Sequence, residues 1–158
     1  MLRHDPVEGL VYRRLLGRLE HRADPDDTAR GLACLDEDDD NHLVHSTSWR
    51  ATDEGHIVLT YLVHPDPEPS RPATAVAPPD TIAHAARPGR PTPPRLATDH
   101  VATHAIRHLA FLSRTDPATT THLAQHPDTR DALIGIPGHP AGRLPRPETV
   151  EAGASARP

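Results

Sequence analysis

The chain has 158 residues, enough for one domain with a single core, and its net charge of −5 comes from 17 basic and 22 acidic residues that are interspersed. Every basic residue is arginine and aromatics make up only 3%, which argues against a basic, aromatic-studded nucleic-acid surface. A single cysteine, Cys34, leaves no internal disulfide and no multi-cysteine zinc framework, and the charges within the first twenty residues leave no apolar run for a signal peptide or membrane span, so a cytoplasmic protein is expected.

In chain order, Asp5, Pro6 and Glu8 read as a capped helix start, and Val7, Leu10, Val11, Leu15 and Leu19 recur on one helical face. A helix over 5–22 follows, closed by Asp24-Pro25. Residues 31–35 are a short apolar run that reads as a strand with Cys34 buried inside it. Residues 42–51 and 56–64 predict a β-hairpin around Thr52-Asp53-Glu54-Gly55, with 56–64 as the centre strand. Trp49, the sole tryptophan, is expected in or near the core.

From Pro65 to Pro94, ten of thirty residues are proline, so an extended linker is expected. Thr98-Asp99 then reads as a helix N-cap, and an apolar stripe from Val101 to Leu112 predicts a helix over 98–114. Asp116-Pro117 begins a second helix to about Gln125, stopped by Pro127, with one more turn at Asp128 to Leu133. The fold class is therefore α+β: a small three-stranded antiparallel sheet with helices on one face, interrupted by a proline-rich linker. The organisation is a helix and β-meander over 1–64, the linker over 65–97, helices over 98–136 packed on the same domain, and a disordered tail over 137–158.

The acidic run Asp36 to Asp40 matches the first ligand positions of a calcium loop, but Asn41 stands where the glycine is needed and Thr47 where the glutamate is needed. His-Pro-Asp occurs at 64–66 and 126–128, a triplet this composition generates by chance. Arg14, Arg18 and Arg22 repeat every four residues, which suits phosphate tracking as well as a helix dipole. Ser46 and Ser48 beside His45 lack the sharp elbow of a nucleophilic serine.

The histidines at 100, 104 and 108 carry the strongest chemical signal. Spacing of four places successive rings on one helical side, and His104 with His108 form the candidate metal pair, a divalent transition metal being the candidate cofactor. Further ligands would come from Asp99, His45 or His122. His45, Trp49 and Arg50 are the candidate ligand-contacting residues, in a site between the 42–64 hairpin and the 98–114 helix.

The stretch His45-Ser46-Thr47-Ser48-Trp49-Arg50 through Tyr61, with His104 to Leu112, resembles uncharacterised small proteins of high-GC Gram-positive bacteria, a resemblance that implies no activity. Two functions stand against each other. The preferred one is a non-catalytic accessory or interaction module whose partner is another protein rather than nucleic acid or membrane; the alternative is a small histidine-dependent, metal-assisted enzyme.

Overall fold

The computed structural model describes residues 1–77, 82–83, 93 and 96–138. Its elements are β1 (Leu2–Asp5), β2 (Gly9–Tyr12), α1 (Pro25–Leu32), β3 (Leu43–Ala51), β4 (Ile57–His64), β5 (Thr74–Ala75), α2 (Thr98–Thr115), α3 (Pro117–Ala124) and α4 (Pro127–Ala132). The α+β class holds, with one antiparallel sheet ordered β1-β2-β5 and a second made of β3 and β4. No described helix is long and apolar enough to cross a membrane.

The expected helix over 5–22 is instead a β-hairpin followed by a segment without regular structure. The Asp5 carboxylate accepts from the Val7 and Glu8 N–H groups at 2.9 and 3.0 Å, and Gly9 takes a φ of +75°. An aspartate bonding N–H groups two and three residues on closes a turn as readily as it starts a helix. The helix begins later: Asp24 caps Asp26 and Asp27, and Pro25 occupies the first turn. The signal expected to end a helix starts α1.

Residues 31–35 likewise form no strand. Gly31 and Leu32 end α1, and the Leu35 N–H donates to Arg30 O while the Cys34 N–H donates to Gly31 O, both at 3.0 Å. That paired pattern is a Schellman cap, and Cys34, at φ +57°, takes the left-handed position usually given to glycine. Cys34 is consequently exposed rather than buried. The cap turns Ala33 and Leu35 onto Val63 and Val44 of the hairpin, so β4 has α1 rather than a third strand against this face.

The β3–β4 hairpin forms as expected, from Leu43↔His64 to Ala51↔Ile57, but a bulge interrupts it between Ser46 and Ser48. Thr47 is the extra residue, and its hydroxyl donates to Thr60 O. An inserted residue reverses the side-chain alternation beyond it. Trp49 therefore pairs with Leu59 on the face opposite His45 and lies 57% exposed, not in the core, while Arg50 joins the face of His45 and Leu62.

Part of the expected linker is built into the fold. Asp66, 4% exposed, receives Arg13 through Nη2 at 2.7 Å and Nε at 3.1 Å, and Arg3 at 2.9 Å. Burial alone would raise its pKa, but these guanidinium groups and the Glu68 N–H outweigh it and hold the carboxyl below its usual range. β5 adds to the edge of β2, and Val76 packs on the core. The remainder of 65–97, except 82–83, 93 and 96–97, and the expected tail from 139 lie outside the described residues.

The helices fall close to their expected limits, with two differences. Ala97, not Thr98 or Asp99, is the N-cap of α2, and Asp99 instead accepts from the Tyr12 hydroxyl at 2.7 Å. Pro127 opens α4 after Gln125 has closed α3. Leu109 is fully buried with Leu2, Leu62, Ile106, Leu123 and Leu133, so the core joins β1, β4 and all three C-terminal helices.

Candidate metal centre

Three histidines far apart in sequence meet where β4 ends against the α3–α4 corner. His64 is the last residue of β4, His122 lies in the last turn of α3, and His126 is the N-cap of α4. One ring nitrogen from each lies within 4.8 Å of those of the other two. His64 is buried, and His122 and His126 are half-buried.

The separation of His64 Nδ1 from His122 Nε2 is 2.9 Å. Two ring nitrogens that close must share a proton or a cation, because their lone pairs repel. Ligands at 2.0–2.1 Å from a tetrahedral zinc are separated by about 3.3 Å, so small ring rotations would seat an ion between them. The other ring nitrogen of His64, Nε2, is 3.0 Å from the Thr129 hydroxyl. Such an outer contact fixes the ring and selects the nitrogen that faces the metal.

Electrostatics favour the neutral imidazole that metal binding needs. Burial first, then the neighbouring rings of His122, His126 and His42, push the pKa of His64 down to about 3. Burial, His126 and His42 likewise lower that of His122. His42 therefore stands close enough to be felt by both, and the Asp39 carboxylate holds its Nδ1 at 3.0 Å. Asp39, from the acidic run, is thus engaged by a histidine.

The anticipated residues are only partly assembled. His45 and His108 do meet across the hairpin and α2, with Nε2 atoms 3.0 Å apart and ring centroids 5.0 Å apart. Burial, His45 and His104 depress the pKa of His108. His104 precedes His108 by one turn, but the two do not belong to a three-ligand cluster among the described residues. Asp99 is occupied with Tyr12, His122 belongs to the other cluster, Trp49 faces away, and Arg50 lines a cavity described below.

Sequence reasoning missed His64 and His126. Each heads one of the two His-Pro-Asp triplets, and their rings stand 4.9 Å apart, centroid to centroid. The four-residue step from His122 to His126 was a usable signal, obscured by the proline between the helices. Comparison of the chain with protein-family models, with curated proteins and with solved structures finds no significant match.

Proposed function

We propose that this chain is a non-catalytic accessory or protein-interaction module, clamped by a divalent transition metal on His64, His122 and His126. The observation that carries the reading is the convergence of these three imidazoles within 4.8 Å. All-nitrogen donors suit zinc, nickel or copper better than calcium or magnesium. A metal here would tie β4 to α3 and α4, segments about sixty residues apart, and so stabilise the folded chain directly. A structural role fits the burial of His64 and the position of two cavities beside the hairpin, which none of the three rings lines.

The second reading is a small metal-assisted enzyme between the 42–64 hairpin and α2, supported by the 3.0 Å approach of His45 to His108. Zinc titration separates the two. Tight 1:1 binding that survives in His104→Ala/His108→Ala but is lost in His122→Ala/His126→Ala supports the module; the reverse pattern supports the enzyme. Weak uptake, equal in wild type and both variants, contradicts any specific site.

A further inference from the structure

A cavity of about 420 Å³ lies between the α2-facing side of the β3–β4 hairpin, the start of α2 and the segment after β2. Its floor is apolar, built from the core residues Leu2, Leu62, Ala105 and Ile106. Arg14, which is exposed, and Arg50, which is half-buried, both line it. Arg14 is bonded to the Thr98 hydroxyl at 3.2 Å and Arg50 stands 3.5 Å from that of Thr60. Among the described residues neither arginine forms a salt bridge, whereas Arg3 and Arg13 are both held by Asp66.

We infer that this cavity binds a small amphipathic carboxylate, its apolar body on the floor and its head between Arg14 and Arg50. The size matches a small-molecule pocket, which combines an apolar lining with a few placed polar groups. Two guanidinium groups without an acidic partner are charge-complementary to one carboxylate, which each can engage through paired N–H donors. Arg50 reaches this wall because the bulge at Thr47 turns it, rather than Trp49, to the α2 side. Asp53 and Glu54 at the hairpin turn also line the cavity, but both are exposed, so solvent screens their charge. None of the histidines of the metal centre takes part.

Calorimetric titration of the full chain, with and without one equivalent of zinc, against octanoate, octan-1-ol and octylamine tests this. Saturable 1:1 binding of octanoate is expected, at least about tenfold tighter than octanol, with octylamine weakest. In Arg14→Gln/Arg50→Gln, which leaves the apolar floor unchanged, octanoate should bind no better than octanol. Ala102→Leu, which narrows the cavity, should weaken acid and alcohol together. Absence of saturable octanoate binding, equal affinity for all three probes, or full octanoate affinity in a double-arginine variant of unchanged melting temperature would overturn the assignment.

Discussion

Two pairs of imidazoles face one another at nearly the same separation, His64 with His122 at 2.9 Å and His45 with His108 at 3.0 Å, yet among the described residues only the first has a third ring within ligand range. The difference lies in backbone geometry. Along α2, one step of four residues can set two rings beside one ion, but each further step drifts by about 40°, so His100, His104 and His108 cannot all reach it. Between α3 and α4 the chain turns at Gln125 and His126, and the same four-residue step brings His122 and His126 to a ring separation of 4.8 Å. A corner between short helices, facing a strand end, gathers ligands that one long helix cannot.

The largest expected effect separating the two clusters is the acid response of the metal-free protein. The folded pKa of His64, about 3, lies below its unfolded value near 6.5, so the unfolded chain takes up the proton first. The stabilising contribution is complete above pH 6.5 and lost as pH falls towards 3, on the order of 4 kcal/mol over that interval. Urea unfolding across this range should show a steep decline in wild type and a shallower one in His64→Gln. An unchanged slope would remove the distinction claimed for the buried ring.

Asp66→Asn addresses the support of the same strand end, since Asp66 follows His64 by two residues and anchors Arg3 and Arg13. Removing one partner of a buried ion cluster costs about 3–5 kcal/mol. Chemical denaturation should register that loss, and zinc affinity should fall with it, while the approach of His45 to His108 is left intact. A loss below about 1 kcal/mol would show the cluster to behave like an exposed pair.

Zinc at about 100 times its dissociation constant should stabilise wild type by about 2.7 kcal/mol, which raises the melting temperature by about 5–10 °C for a chain of this size. His104→Ala/His108→Ala should retain the rise and His122→Ala/His126→Ala should lose it. Smallest is Thr129→Val, which keeps the shape but deletes the hydroxyl 3.0 Å from His64 Nε2. Loss of an outer contact of this kind lowers metal affinity about 10- to 100-fold, and an unchanged zinc isotherm would deny Thr129 its orienting role.

Local signals carried the hairpin from Leu43 to His64, whose alternation and Gly55 turn are self-sufficient, and α2, whose apolar stripe runs for about three turns. The Asp116-Pro117 start of α3 was equally legible because the cap and the proline act within one turn. Asp5 and Asp24 mislead because one carboxylate chemistry serves both turns and helix starts. Cys34 in a left-handed cap defies residue preference, and the bulge at Thr47 leaves no trace in an alternating strand, so the side of Trp49 was lost with it. Among the histidines, spacing within one helix was visible, but the meeting of His64 with His122 and His126 depends on how β4 packs against the helical corner.

The most direct measurement of that convergence is the ¹⁵N NMR response of the imidazoles as zinc is added in sub-stoichiometric steps. Ring resonances of His64, His122 and His126 should shift together and stop at one equivalent, while those of His45, His104 and His108 stay in place. Shifts confined to His104 and His108, or spread gradually over many histidines beyond one equivalent, would contradict the three-histidine clamp.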